Sequence, residues 1–367
     1  MAQNKLQWQP LKVPIDELPD PLRPTASVGL RPILCRMTTF AADISDVQLA
    51  AQRIAPWVHH TPVMTCKHID GLANRSLHFK CEIFQRTGSF KFRGACNAVM
   101  SLTDDEARHG VVTHSSGNHA QALALAAKLR GIAAHVVMPH DSARTKVVAV
   151  EGYGGRVIFC EPTVAARAAA AQEVLAQTGG AFIPPYDHPK VIAGQGTIAL
   201  ELIDQVRKAT RGNLDAIIVP LGGGGLISGI TIAARAIHPG IRIIGAEPKT
   251  VGDAAESKRL GVRQQATGAV TIADGLRTSL GDLTWPVVRD LVDSVVTVSE
   301  AEIKSALRLV YERMKLVIEP SAAVGIAAAL GPLRTRSDFG SAGVIFCGGN
   351  IDLDLLSQLI SHTESIR

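Results

Sequence analysis

The chain has 367 residues, of which 46% are apolar, 19% charged and only 4% aromatic. That balance suits one large domain or two ordinary ones with a sizeable core, and excludes a disordered chain. Net charge is +5, from 38 basic and 33 acidic residues with no basic run of five or six, which excludes a nucleic-acid surface and leaves a preference for small anions.

No apolar stretch reaches the roughly 18 charge-free residues of a membrane span, and the start lacks the charged-then-apolar pattern of a secretory leader. Cys35, Cys66, Cys81, Cys96, Cys160 and Cys347 form no C-x-x-C pair. A chain this long needs no staples, so a reducing compartment, the cytoplasm, is expected.

Residues 1–36 contain Pro10, Pro14, Pro19, Pro21, Pro24 and Pro32 and read as a disordered extension; Asp16, Glu17 and Asp20 argue against a transit peptide. Beyond them, spacing predicts alternating helices and strands. Ser45 to Ala55 reads as an amphipathic helix capped by Ser45, Leu77 to Lys80 as a strand, and Ser89 to Met100 as a helix. Gly110 to Thr113 reads as a strand, and Ser115 opens an alanine-rich helix to Arg130. Strand Ala134 to Met138, helix Thr145 to Glu151, strand Arg156 to Phe159 and helix Val164 to Gln177 follow. The second half repeats the theme with helix Ile198 to Arg207, strand Ala216 to Val219, helix Ile227 to Ile237 and strand Arg242 to Ala246. Helices Ile303 to Met314 and Ser321 to Leu330 precede a last strand, Val344 to Phe346. Such alternation implies parallel sheet covered on both faces.

Four segments on this frame carry chemistry. Lys91 lies in Thr87-Gly-Ser-Phe-Lys-Phe-Arg-Gly94, flanked by small residues and walled by Phe90 and Phe92. A lysine amine attacks an aldehyde only when neutral, and a partly apolar pocket favours that form. The alternative, a solvated lysine at a helix start, sits badly with the helix dipole unless an anion is near. Ser115-Ser-Gly-Asn-His119 presents hydroxyls and backbone amides after a strand. It reads as a carboxylate site with a hydroxyl for proton transfer, or as an ordinary helix cap. Gly222 to Gly225 follow an apolar strand and precede a helix, which suits wrapping a phosphate. Ile227 and Ser228 break the dinucleotide fingerprint, no Walker lysine follows, and four glycines exceed what a tight turn needs. Cys347-Gly-Gly-Asn350 is a glycine turn with a thiol at its edge. An aldehyde with a phosphate handle, pyridoxal phosphate, is the ligand that needs both the lysine and the glycine run.

Together the segments resemble the fold-type II pyridoxal-phosphate enzymes, and among them the serine/threonine dehydratase–serine racemase family. The resemblance runs from about Ile44 to Asp354 and includes Val-Ile-Ala-Gly-Gln-Gly-Thr (191–197), Ile-Ala-Asp-Gly (272–275) and Met-Lys-Leu-Val-Ile-Glu-Pro (314–320). The nearest look is to the branch of serine racemase and threo-3-hydroxyaspartate dehydratase. It implies an α/β fold like the tryptophan synthase β chain, with two open parallel-sheet domains and the cofactor in the cleft. Residues 37–113 and 186–367 would form the large domain and residues 114–185 the small one, in a homodimer.

The resemblance also implies roles. Lys91 would hold the cofactor and remove the substrate α-proton, with Ser116 on the opposite face. Phe90, Asn118, Gly222, Gly223, Gly224, Gly225, Leu226 and Cys347 would line the cofactor, Asn118 at its ring hydroxyl and Cys347 near its ring nitrogen. Ser115, Ser116, Asn118 and His119 would hold the substrate carboxylate. Glu247, Asp253 and the carbonyl of Val251 would bind a divalent cation (magnesium, calcium or manganese) through hard oxygen donors. Arg167 and Arg277 are candidates for a second substrate carboxylate, or structural arginines. The implied reaction is α,β-elimination from L-serine, L-threonine or threo-3-hydroxyaspartate to a 2-oxo acid and ammonia, with serine racemisation as the alternative; a catalytically silent scaffold would need a lost lysine or a broken glycine loop. No nucleic-acid or membrane partner is expected.

Overall fold

A computed structural model describes residues 40–361 except Ser116 and Ala143. The extension expected over residues 1–36 and the candidate base Ser116 therefore lie outside the described residues. Among the described residues ten strands form two sheets: β1 (Val63–Met64), β2 (Ser76–Cys81), β3 (Val111–His114), β4 (Ala134–Pro139), β5 (Arg156–Cys160), β6 (Ala181–Phe182), β7 (Ala216–Pro220), β8 (Arg242–Pro248), β9 (Ser294–Val298) and β10 (Ser341–Phe346). The larger sheet has the order β1-β2-β10-β7-β8-β9, and the smaller β5-β4-β3-β6. Every pairing is parallel except the β1–β2 edge. Strands β7 and β10 are almost wholly buried, which is what apolar Ala-Ile-Ile-Val and Ala-Gly-Val-Ile runs require in a sheet covered on both faces.

The register brings strand ends level. Phe346 pairs with Cys81, Val344 with Ile218 and Pro220 with Ala246. Four neighbouring strands thus end side by side, and the segments leaving them emerge on one edge. In open α/β sheets that carboxyl edge is where ligands settle.

Helix boundaries differ from the expected ones for local reasons. The first helix is Ile44–Ile54, and its cap is Asp43 rather than Ser45, through a reciprocal capping box with Asp46. The lysine helix is Lys91–Ser101. It starts later than Ser89 because Ser89 is extended and bridges to Gly348. The expected Ile198 helix is the middle of a much longer one, Pro189–Thr210. Gly194 and Gly196 lower intrinsic helix propensity, yet here they admit two neighbours. A Cβ on Gly194 would lie 2.7 Å from the Arg93 carbonyl oxygen, and one on Gly196 2.8 Å from that of Gly229. A Cβ on Gly229 would collide with the Ile192 carbonyl oxygen. The long helix therefore clasps the lysine helix on one side and helix Gly225–Ile237 on the other.

Arg93 anchors the lysine helix from beneath. It is wholly buried and forms paired bonds to Glu82 (2.7 and 2.9 Å) and Glu201 (2.6 and 2.9 Å). Lys80 completes the cluster, donating to Glu201 at 2.6 Å and to the Thr61 carbonyl at 2.7 Å. Its hydrogen bonds satisfy what would otherwise be ruinous buried charge. Among the described residues no helix is long and apolar enough to cross a membrane.

Candidate active site

The level strand ends deliver three of the four chemical segments. The turn after β2 leads to Lys91, the loop after β7 is Gly222–Gly225, and Cys347–Asn350 follow β10. The fourth, Ser115–His119, follows β3 of the smaller sheet. Backbone bonds join the first and third: Phe90 N–H donates to the Cys347 carbonyl at 2.9 Å, and Gly349 N–H to that of Gly88 at 3.0 Å.

Lys91 is the first residue of its helix, without a side-chain cap or an acidic residue in the first turn. Lys91 is half-buried, and its amine donates to the Pro185 carbonyl at 2.7 Å. Burial pushes it down to about 8, against partial compensation from Cys347 and Glu319. The amine therefore gives up its proton more readily than an exposed lysine, and Glu319, when ionised, is an anion within its electrostatic reach.

The Pro185 contact leads to the glycine loop. Tyr186, the next residue, packs on it: a Cβ on Gly223 would lie 2.5 Å from the Tyr186 ring, and one on Gly225 2.8 Å from Tyr186 Cβ. On the other side a Cβ on Gly222 would lie 2.9 Å from Leu276 Cα. Gly224 has φ +89°, the left-handed region that favours glycine. Thr284 Oγ1 donates to the Gly223 carbonyl at 2.8 Å, and Asp187 accepts the N–H groups of Asp282, Leu283 and Thr284. The loop opens directly into helix Gly225–Ile237, with buried Leu226 second. This is a narrow cradle of backbone at a helix N-terminus, shaped for phosphate. No role at this loop was read from sequence for Tyr186 and Asp187, because their part depends on packing between distant segments.

Asn118 begins helix Asn118–Arg130. Its Nδ2 lies 3.0 Å from both carboxylate oxygens of Glu319, and its Oδ1 accepts from Asn350 at 2.8 Å. Ser115 is half-buried, with Oγ accepting from Gly117 N–H at 3.4 Å. His119 is 2% exposed, and its Nε2 donates to the Ile183 carbonyl at 2.9 Å. Burial and the nearby Lys91 push it down to about 3. A neutral ring with its one N–H committed offers no donor to a carboxylate, so His119 would contribute its main chain. Cys347 is buried, and burial followed by the Glu319 charge raises its thiol well above the usual range. It presents a neutral group at the sheet edge.

The two arginines differ from Lys91 in setting. Arg167 lies in the first turn of helix Val164–Thr178, donating to the Thr163 carbonyl at 3.3 Å within electrostatic reach of His114 and Cys160. Arg277 is committed to the Thr271 carbonyl at 2.6 and 3.2 Å, which is the structural alternative.

Glu247, at the end of β8, is 2% exposed and accepts the N–H groups of Ala255 (2.6 Å) and Ala254 (3.3 Å). Burial, with some repulsion from Asp253, pushes it up to about 8. Burial raises Asp253 as well. Among the described residues no group of three or more His, Cys, Asp or Glu side chains is placed to hold a metal ion. The donors that the resemblance implies are these two carboxylates and the carbonyl of buried Val251. These are hard oxygens, and a cation would relieve the repulsion, so the residues fit a hydrated divalent ion.

Comparison with known proteins adds to this geometry. The family model of pyridoxal-phosphate dependent enzymes matches residues 54–348. A serine racemase of Arabidopsis thaliana is 51% identical over 86% of this chain and 96% of its own. An L-threo-3-hydroxyaspartate ammonia-lyase of Saccharomyces cerevisiae is 45% identical over 87% and 96%. The solved structure of maize serine racemase superposes with a TM-score of 0.84 at 48% identity, covering 88% of this chain and 98% of that one.

Proposed function

Because the chain belongs to the pyridoxal-phosphate dependent enzymes, we propose that it removes the α-proton of a β-hydroxy amino acid and completes α,β-elimination to a 2-oxo acid and ammonia. The observation that carries this reading is Lys91: a half-buried amine, lowered to about 8 and bonded to the Pro185 carbonyl, whose next residue packs on a glycine cradle that leaves no room for side chains. When bound, the cofactor supplies an aldehyde for the substrate amine and a sink for the electron pair left at the α-carbon. The backbone of Gly222–Gly225 would hold its phosphate, Asn118 its ring hydroxyl, and Phe90 and Leu226 its apolar surroundings. Cys347 at the ring nitrogen would stay neutral, which weakens the sink and suits elimination over transamination.

Lys91 Nζ would take the α-proton as general base. The N–H groups of Asn118 and His119 at the helix N-terminus, with the Ser115 hydroxyl, would hold the substrate carboxylate, the Ser115 N–H being committed to the Val137 carbonyl at 3.1 Å. Arg167 would meet a second carboxylate if hydroxyaspartate is the substrate. Residues 114–185 would close over the cleft and exclude water. Glu247, Asp253 and the Val251 carbonyl would hold a divalent cation. The five described cysteines are unpaired, which supports a reducing compartment, and we expect a homodimer.

A second reading, serine racemisation, is favoured by the likeness to plant serine racemases. It needs another base on the opposite face, for which Ser116 is the candidate. The deciding experiment is 2-oxo acid release from purified holoenzyme with L-serine, L-threonine or L-threo-3-hydroxyaspartate, alongside chiral analysis of serine, with magnesium or with chelator. Turnover of one substrate to 2-oxo acid supports elimination, and D-serine without 2-oxo acid shifts the activity to racemisation. Ser116→Ala should abolish racemisation and spare elimination. Full turnover by Lys91→Ala would refute both readings.

A further inference from the structure

Two residues in the recognised motifs have no part in the reaction above, Glu319 and Asn350. They are joined by one polar chain of defined direction. A backbone carbonyl only accepts, so the Asn350 amide atom 2.7 Å from the Thr87 carbonyl is its nitrogen. The same nitrogen donates to Asn118 Oδ1 at 2.8 Å, which turns the Asn118 nitrogen toward Glu319, 3.0 Å from each carboxylate oxygen. The two oxygens subtend a small angle at that nitrogen, whereas its two N–H bonds diverge widely. One N–H is therefore shared across the carboxylate and the other remains free. Glu319 is 4% exposed, and its own N–H donates to the Gly348 carbonyl at 2.9 Å. A Cβ on Gly348 would stand 2.7 Å from Glu319 Oε1, so glycine there makes room for the carboxylate.

We propose that Glu319 and Asn350 are positioning residues: they hold the Asn118 amide in one orientation with its free N–H toward the cofactor's ring hydroxyl. The proposal rests on the cofactor reading above. The charged and titratable groups around this pair are few. Asp274, Lys146, Lys91 and Cys347 act on Glu319 or feel its charge, and His119 feels that of Lys91. His119 is neutral and Cys347 a thiol. Burial pushes Glu319 up to about 7, so its charge appears as pH rises through neutrality, while an ionised Glu319 raises Lys91.

The test is a pH titration of the visible absorbance of the bound cofactor. Glu319→Gln keeps an acceptor for Asn118 but removes the charge, so the titration should move to lower pH by about one unit, and Glu319→Asp should restore most of it. Gly348→Ala displaces the carboxylate without deleting it and should shift the titration the same way, which serves if the glutamine variant does not fold. Asn350→Ala frees the Asn118 amide to turn and should weaken cofactor retention about tenfold. A folded Glu319→Gln or Gly348→Ala holoprotein titrating like the wild type, or unchanged retention in Asn350→Ala, overturns the assignment. A wild-type protein without a visible cofactor band overturns the cofactor reading and this inference with it.

Discussion

Lys91 was legible in the sequence because its neighbours announce it: small and aromatic residues around a helix-initial cation are a poor solution for stability alone. The direction of its tuning by burial was expected from those apolar walls, but the opposing contributions of Cys347 and Glu319 were not. Glu319 itself stayed without a role because its meaning lies in a pairing with Asn118 across 201 residues of chain. The amine's position has a direct consequence for loading. Only the neutral form attacks an aldehyde, and the neutral fraction grows as pH rises toward and past about 8. Stopped-flow mixing of apoprotein with pyridoxal phosphate should therefore show covalent uptake that accelerates with pH and levels off above about 8. Lys91→Arg, charged at every accessible pH, should show no covalent uptake. A flat profile in the wild type would contradict the placement of the amine.

Elements with clean periodicity were foreseen to within a few residues, while strand β9, helices Asp253–Leu260 and Thr284–Leu291, and the full length of Pro189–Thr210 were not. The last case shows why. Glycine reads as a breaker in one dimension, but Gly194, Gly196 and Gly229 are where three helices touch backbone to backbone. Tertiary packing overrides propensity there. The neighbour of a Cβ at 229 is a carbonyl oxygen inside a helix, which has no rotamer by which to yield. Gly229→Ala should therefore destabilise the fold by about 1–3 kcal/mol or more, read as a lowered denaturant midpoint. Unchanged stability would mean that the long helix is not clasped as described. Since the same clasp links the lysine helix to the helix behind the glycine loop, cofactor affinity should fall with it.

At the scale of the whole molecule, alternation of strand and helix made a parallel α/β protein legible, but strand order was not, because β10 inserts between β2 and β7 and no local pattern encodes that. One side-chain tie joins a helix of the smaller sheet to the edge of the site: Lys146 of Arg144–Gly152 bonds Asp274 at 2.8 Å, with the two side chains 35% and 49% exposed. An ion pair so exposed contributes about 1 kcal/mol at most, which would suit a contact that breaks and reforms in the closure proposed above. Lys146→Ala should raise KM by up to about fivefold and remove part of the salt dependence of kcat/KM, leaving thermal stability nearly unchanged. An unaltered salt profile would show that the tie plays no part in closure. The insertion of β10 has a further consequence, in the order of synthesis. Ser341–Phe346 pairs along the whole of Ser76–Cys81, and the stretch just past it holds the turn before Lys91 through Phe90, Ser89 and Gly88. A nascent chain that has already released its lysine from the ribosome still lacks the strand that shapes the lysine's surroundings. Cofactor capture is therefore expected only after Ser341–Phe346 has paired, and a chain ending before Ser341 should bind pyridoxal phosphate no better than Lys91→Ala does.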